Sequence, residues 1–279
     1  MVQWRGRRRS SNVIDVRGKK GKAALGGGTL LIVLLGLLFG VDPGQLLALL
    51  GGGGGAATVE TQTSGEVPPQ DDAGEFVQVI LADTEDTWGR IFQQASAQYR
   101  EPELVLFTDR VQSACGIAGA ATGPFYCPTD QRVYLDLGFF RQLQRMGASG
   151  DFAIAYVIAH EIGHHVQNLE GTLSQVQQMK QRLPQAQANE LSVRTELQAD
   201  CYAGVWAYYA ETERDLLETG DVQEGIDAAG AVGDDRIQGD AASPDSFTHG
   251  TSAQRVEAFQ SGFRSGDVGS CDTFADLQR

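Results

Sequence analysis

The stretch His160-Glu161-Ile162-Gly163-His164 constrains this chain more than any other. It lies in a run, 151–166, whose apolar residues recur every three or four positions, the spacing of a helix with one buried face. Residues four apart share one side of a helix, so the imidazoles of His160 and His164 can bind one Zn²⁺ together. Glu161 then lies beside the metal, where a carboxylate can act as a general base.

A five-residue pattern with two free positions also arises by chance. The composition argues against chance, because three of the four histidines in the chain fall within residues 160–165. A buried helix face gains nothing in packing from unpaired ionisable groups, which are costly to bury. The segment therefore predicts a zinc site.

A catalytic zinc needs a third protein ligand, and a second predicted helix, from about Leu191 to Ala210, offers one. Glu196 and Asp200 are four residues apart, so their carboxylates share a face. We expect Glu196 to bind the metal and Asp200 to accept a hydrogen bond from the far nitrogen of a ligating histidine. The alternative is that both are ordinary solvated residues on a helix edge. Cys201 is turned away from this face.

These motifs carry a family resemblance. The first motif followed by Glu196-Leu197-Gln198-Ala199-Asp200 is similar to the gluzincin metallopeptidases, most closely those of the HtpX type. The segment 248–256 resembles the part of HtpX-type peptidases where a His and an Arg six residues later approach the active site, with Gly250 in place of their usual Pro. Over residues 76–274 the chain resembles, more tightly, the bacterial neutral zinc metallopeptidase family of the YpfJ type. The stretches that match this family include 81–86, 121–128 and 233–236.

The resemblance implies a gluzincin-like zinc metallopeptidase domain, one Zn²⁺ per chain, and a protein or peptide substrate. It implies His249 as a second electrophile for the oxyanion of the tetrahedral intermediate, with Arg255 assisting or holding it. A lone distal histidine is also commonly structural, so His249 could instead only pack against the metal helix. In gluzincins the strand beside the cleft pairs with extended substrate, and the segment 115–127 is where we expect that strand.

Periodicity predicts a small sheet followed by many helices, an α+β layout. Strands are expected at Glu103–Thr108 and Arg132–Leu137. A helix capped by Asp83 or Thr84 is expected to end before Pro102. Further helices are expected at about Phe139–Arg145, Asp151–Leu169, Gln185–Ala210, Val222–Ala231 and Ser252–Phe263.

The N-terminal residues predict a membrane anchor. Residues 1–22 hold eight basic residues and one acid, and residues 23–41 form an uncharged run of nineteen. A run of this length just spans a bilayer, and the charge asymmetry predicts an N-terminus inside the cytoplasmic membrane and a catalytic domain outside it. Residues 42–74 would be a Gly/Pro-rich tether and residues 75–279 the peptidase domain. The alternatives are a buried helix and a cleaved signal peptide.

After Lys22, fourteen basic and thirty-five acidic residues remain, a net charge near −21. Such a surface disfavours nucleic acid as a partner. The oligomeric state is not readable from the sequence. Four cysteines allow three pairings. Cys115 and Cys127 bracket a Gly-rich turn region, which leaves Cys201 and Cys271 for a second disulfide; the alternative is four free thiols.

Three functions stay open at this point. The first is a membrane-anchored zinc endopeptidase. The second is a zinc amidase acting on peptidoglycan cross-bridges, and the third is a non-catalytic scaffold that keeps zinc for stability. Glu161 argues against the scaffold, because a structural metal needs no base beside it.

Overall fold

A four-stranded sheet packs beneath a group of helices in the computed structural model, which describes residues 1–17, 71–119, 122–239 and 243–276. The strands are β1 (Val13–Asp15), β2 (Glu103–Phe107), β3 (Arg110–Ser113), β4 (Gly116–Gly119), β5 (Phe125–Cys127) and β6 (Arg132–Asp136). The helices are α1 (Asp72–Gln94), α2 (Gly138–Arg145), α3 (Asp151–Glu170), α4 (Thr172–Lys180), α5 (Gln185–Thr212), α6 (Asp221–Ala231), α7 (Asp234–Gln238) and α8 (Ser252–Ser265). Short 3₁₀ turns occupy Pro244–Ser246 and Val268–Cys271.

The sheet has the strand order β1-β2-β6-β5. β1 and β6 both run parallel to β2, whereas β5 is antiparallel to β6 and forms one edge. Strand side chains alternate between the two faces. Leu104 and Leu106 of β2 join the helical core, while Val105 and Phe107 join a smaller cluster under the β3–β4 hairpin.

α3 lies at the centre of the helical layer, in contact with α1, α5, α6, β5 and β6. Its apolar residues are almost completely buried, and Gly171 in the left-handed conformation ends it. The predicted helices at residues 139–145, 151–169, 185–210, 222–231 and 252–263 are all present, with ends shifted by a few residues. The two strands predicted at residues 103–108 and 132–137 are present as β2 and β6.

Helix α1 begins eleven residues before the predicted cap, at Asp72. Asp71 is the true N-cap, and its carboxylate accepts from the Gly74 N–H at 2.8 Å. Asp83 is instead a buried partner of other helices. It accepts from the Trp206 indole N–H at 2.8 Å and from the Arg214 guanidinium at 2.6 Å. The predicted cap at Asp83 or Thr84 was therefore wrong, because a buried ion-pairing acid has the same sequence appearance as a cap.

The first seventeen residues pack on the body of the protein. Val13 of β1 pairs with Leu104 of β2. Val2 is only 5% exposed and belongs to the same hydrophobic core as α3. Arg17 makes an ion pair at 2.8 Å with Asp71, the cap of α1. Arg17 and Asp71, the described residues on either side of segment 18–70, therefore lie in contact with each other.

This arrangement corrects the predicted fold class and location. The fold is mixed α/β with small sheets, because parallel pairing of β1, β2 and β6 replaces the expected α+β layout. Among the described residues no helix is both long and apolar enough to span a bilayer. The predicted anchor, 23–41, lies outside the described residues. An N-terminus inside the membrane with a catalytic domain outside is wrong, since residues 1–17 and that domain share one core.

Both predicted cysteine pairs are confirmed. Cys115 and Cys127 are joined at an S–S distance of 2.01 Å, as are Cys201 and Cys271. The first pair links the β3–β4 turn to the end of β5, and the second links α5 to the C-terminal 3₁₀ turn.

Removing the second disulfide should destabilise the protein more than removing the first. The Cys201–Cys271 bridge spans 70 residues and the Cys115–Cys127 bridge 12, so the longer loop constrains the unfolded chain more. The chain-entropy estimate is about 4 kcal/mol for the long loop and about 3 kcal/mol for the short one. Urea unfolding of the two paired Cys→Ala variants under non-reducing conditions measures both. If both variants lose the same free energy of unfolding, native contacts of the disulfides, and not the length of the closed loop, determine the destabilisation.

Candidate metal centre

Helices α3 and α5 are in close contact at Gly163, which lies between the two predicted histidine ligands. A Cβ on Gly163 would be 2.9 Å from the carbonyl oxygen of Ala199, closer than real side chains allow. A side chain here would push α5 away. Because Ala199 follows Glu196 by three residues, this contact holds the predicted third ligand one turn from the histidines.

The three predicted ligands meet in one group. The ligand atoms of His160, His164 and Glu196 all lie within 4.8 Å of one another. The His160 Nε2–Glu196 Oε2 distance is 3.2 Å, and the His164 Nε2–Glu196 Oε1 distance is 3.5 Å. Ligand atoms about 2.0–2.1 Å from a tetrahedral zinc lie about 3.3 Å apart, so this spacing fits Zn²⁺.

Hydrogen bonds behind the histidines set their tautomers. The Nδ1 of His160 lies 2.8 Å from Asp200 Oδ1, and the Nδ1 of His164 lies 2.8 Å from Gln167 Oε1. Both partners are acceptors, so each Nδ1 carries a proton, and each Nε2, which lies toward Glu196, is the nitrogen left to bind a metal. Asp200 thus occupies the predicted place, and two imidazoles with one carboxylate are a donor set typical of catalytic zinc.

The charges in the group favour a cation. Burial alone lowers the pKa of His160, but the carboxylates of Asp200 and Glu196 outweigh it and raise the pKa to about 10. Burial alone raises the pKa of Glu196, yet the two histidines hold it well below its usual range. Carboxylates that favour protonated imidazoles in this way make the electrostatic potential of the site negative. The same potential would stabilise a bound divalent metal cation.

Glu161 borders the same cavity as the three ligands and is 7% exposed. Burial raises the pKa of its carboxyl group, against the effect of the neighbouring histidines. Among the described residues no hydrogen-bond partner of its carboxylate is seen. Its position is that of an acid–base group available to a bound molecule.

Arg255 borders the cavity, but its guanidinium pairs with Asp200, the carboxylate behind His160. Its guanidinium is 2.8 Å from Asp200 Oδ2 through Nε and 3.0 Å from Oδ1 through Nη2, a bidentate pair buried on all sides. The Tyr156 hydroxyl donates to the same carboxylate at 2.5 Å. Burial alone raises the pKa of Asp200, but Arg255 and His160 lower it to about 2. Arg255 therefore fixes the carboxylate that fixes His160.

His249 lines the same cavity on a loop before α8, with 51% of its side chain exposed. Its loop is held by Asp234, whose Oδ2 accepts from the backbone N–H groups of Thr248, His249 and Gly250 at 2.7, 2.6 and 3.0 Å. The other carboxylate oxygen is 3.3 Å from His249 Nδ1. The fold thus brings His249 to the cavity across a long stretch of sequence, as predicted from the resemblance.

The cavity has a volume of about 510 Å³, within the usual range of ligand pockets. Beyond the polar groups above, the segment 122–126 lines the cavity and contributes Phe125 and Tyr126 of the edge strand β5. Apolar side chains also line it, namely those of Phe139, Met146, Val157, Val232 and Ile237.

A second acidic group gives no sign of a metal. This group consists of Asp151, Asp221 and Glu224. Their carboxylate oxygens lie within 4.8 Å of one another, the same limit as for the predicted zinc ligands. Their carboxylates already bind the Met1 amino group at 2.9 Å and the backbone N–H groups of Val2 and Phe152. These contacts satisfy the carboxylates without an ion.

Sequence reasoning missed three residues at the site. Tyr156 is one turn before His160 and reads as an apolar-face residue, and Gln167 is three residues after His164. Asp234 lies in the family-like stretch 233–236, but nothing in its spacing predicts that it holds the His249 loop. The signal that could have found the first two is their position, one turn from each ligand on the same helix.

Comparison with known proteins decides the family. Residues 2–274 match the family described as "Putative neutral zinc metallopeptidase". The chain belongs to this family. An uncharacterised Escherichia coli protein, YpfJ, is 44% identical over 98% of this chain and 99% of its own length. An uncharacterised Mycobacterium tuberculosis protein is 41% identical over 86% of each chain. No solved structure matches this chain, and its motif resemblance to HtpX-type peptidases remains a prediction.

Proposed function

We propose that this protein is a zinc-dependent endopeptidase whose ligands are His160, His164 and Glu196. The single observation that carries the proposal is the convergence of these three ligand atoms within 4.8 Å, beside Glu161 and a cavity of about 510 Å³. The family membership supports a peptidase in general. When bound, zinc supplies a Lewis acid that lowers the pKa of water toward ~7 and polarises a carbonyl.

In the proposed mechanism, Glu161 takes a proton from the attacking water and returns it to the leaving amine. Its raised pKa suits this exchange, since a general base works best with a pKa nearer to neutral. Asp200 and Gln167 keep each ligating imidazole in the tautomer that binds metal through Nε2. Arg255 keeps Asp200 ionised and in place, so it is a positioning residue.

The substrate is proposed to bind as an extended strand along β5. β5 is the edge of its sheet and borders the cavity, so one side of its backbone is not paired within the sheet. A peptide added to such an edge gains main-chain hydrogen bonds largely independent of its sequence. A peptide bond is thereby presented to Glu161, which favours endopeptidase activity over a purely structural metal site.

The zinc assignment is tested by metal content. His160→Ala, His164→Ala and Glu196→Ala should each lower zinc per chain by 10-fold or more, since even loss of a partner behind a ligand costs about 10–100-fold in affinity. Glu190→Ala is the matched control, because Glu190 lies on α5 but pairs with Arg194 at the surface. Mass spectrometry of the native proteins counts the metal. Full zinc occupancy in Glu196→Ala would reject the proposed ligand set.

His249 is proposed to stabilise the oxyanion of the tetrahedral intermediate from the cavity wall. Loss of one such donor costs about 10²–10³-fold in kcat, and the exposed position of His249 argues for the lower end. His249→Ala should therefore lower kcat by about 10²-fold with KM and zinc content unchanged. Steady-state kinetics on a quenched peptide measures this. A variant of lower thermal stability but normal kcat would assign His249 to packing alone.

Cleavage itself is tested on unstructured proteins and on cross-linked muropeptides in parallel. We expect cuts within the proteins and none in the muropeptides. Cleavage confined to muropeptides would favour the amidase alternative, and activity on neither substrate would favour a scaffold.

A further inference from the structure

The edge strand beside the metal group is short and depends on side chains for its position. β5 has three residues, Phe125–Cys127, and within the described part of the chain only β6 pairs with it. If the proposed function is right, the backbone of this strand binds the substrate. A three-residue strand offers few ladder hydrogen bonds, so other contacts must set its distance from the metal helix α3.

Tyr126, the middle residue of β5, supplies such a contact. Its side chain faces the helices and its hydroxyl lies 3.0 Å from Nδ1 of His165 on α3. His165 is 1% exposed and directly follows the ligand His164. It is not part of the metal group, because its ring points to the sheet.

The protons in this contact can be assigned. The Nε2 of His165 lies 2.6 Å from the Arg100 carbonyl oxygen, which can only accept, so Nε2 carries the proton. The Nδ1 is therefore an acceptor, and the Tyr126 hydroxyl donates to it. The same hydroxyl accepts from the Asn168 side-chain amide at 3.0 Å. Every polar atom of this bridge thus has a determined role, and exchanging a donor for an acceptor would break it.

We propose that Tyr126 and His165 are positioning residues for the substrate strand. Through the hydrogen bond between them, which Asn168 of the same helix supports, they fix β5, the proposed binding edge, to the helix that carries His160, Glu161 and His164. Adjacent histidines then have separate roles: His164 binds the metal through Nε2, and His165 sets the distance between the metal and the substrate backbone. The inference rests on the proposed peptidase function and adds the residues that hold its binding edge.

The sheet contains a matched control for this bridge. Tyr134 of β6 also donates its hydroxyl, to Asp130 at 2.8 Å, but its ring lies in the cluster on the opposite face of the sheet. Tyr126→Phe and Tyr134→Phe each remove one buried hydroxyl from neighbouring strands. Only the first breaks the link between β5 and α3.

The test compares substrates of two lengths on the full-length, zinc-loaded protein. A blocked dipeptide spans only the scissile bond, whereas an octapeptide can pair along β5. Tyr126→Phe should raise KM for the octapeptide by about tenfold or more, because small misplacements of a bound group are costly. Its kcat, its zinc content and its rate on the dipeptide should match wild type, and Tyr134→Phe should change none of these.

A second measurement needs no catalysis. In the Glu161→Gln background, titration calorimetry with the same octapeptide should show about tenfold weaker binding when Tyr126→Phe is added, and no change with Tyr134→Phe. Equal losses on both substrates, or loss of zinc, would assign the bridge to general stability and overturn the inference. If the wild type cleaves neither peptide, the proposed function fails, while weakened octapeptide binding would still support the role of Tyr126.

Discussion

Replacing Glu161 by glutamine is expected to lower peptide hydrolysis by about 10²–10⁴-fold while zinc content and fold remain those of the wild type. The amide has nearly the shape of the carboxylate but cannot take a proton from water. The Glu161 carboxylate is not part of the group whose three ligand atoms converge, so the metal should stay bound in the variant. Initial rates on a quenched peptide, with metal analysis of the same samples, measure both quantities.

Glu170→Gln is the matched control for this substitution. Glu170 ends the same helix and accepts from the Tyr202 hydroxyl at 2.9 Å, away from the ligands. Its variant should keep normal activity. A Glu161→Gln protein that hydrolyses peptides at the wild-type rate would refute the proposed mechanism while leaving the zinc assignment intact.

Replacing Arg255 by methionine is expected to destabilise the protein by about 3–5 kcal/mol. The substitution removes one partner of a buried pair and leaves the Asp200 carboxylate, which is fully buried, without its bidentate guanidinium partner. Metal affinity should also fall, because Asp200 then loses the contact that holds it against His160. Urea unfolding of the zinc-free protein separates the stability effect from the loss of metal.

Arg264→Met provides the comparison on the same helix. Arg264 pairs with Glu257 at 2.6 Å, but both side chains are more than half exposed. Pairs of this kind contribute less than about 1 kcal/mol. If both variants unfold at the same urea concentration, the buried pair does not stabilise the fold in the way argued here.

The ligand group followed from the sequence because helical spacing is a strong local rule. His160 with His164, and Glu196 with Asp200, each lie four residues apart, and that spacing fixes which side chains share a face. It could not show that α3 and α5 meet, which depends on the small residue at Gly163. The third ligand was therefore predicted from the shared helix face of Glu196 and Asp200 and from the need of zinc for a third ligand, and only the fold shows that this face meets the histidines.

The N-terminal prediction failed because charge and hydropathy describe a segment in isolation. The basic residues of the first seventeen looked like a cytoplasmic arm, but Arg8 and Arg9 pair with Glu85 and Glu75 of α1. β1 is three residues long, too short for a reliable strand signal next to such a charge run. Only its partner β2, far along the chain, makes it a strand.

The partners of the ligands were missed for a related reason. Tyr156 and Asp234 act through hydrogen bonds to residues on other elements, Asp200 and the His249 loop. The position of Tyr156 one turn before His160 was a local signal for its role, whereas no spacing within one helix predicts the contact of Asp234 with the His249 loop.

The place of β1 in the sheet bears on the order in which the protein folds. Roughly ninety residues separate Val13 from its partner Leu104, and closing a loop of that length costs about 4 kcal/mol in chain entropy. Three strand residues and a few side chains must offset this cost. Pairing of β2 with β6 closes a shorter loop, because these strands are about thirty residues apart. Contacts between distant residues form slowly. We expect the helices with β2 and β6 to assemble first and β1 to join last, in a refolding phase that quickens when the segment 18–70 is shortened.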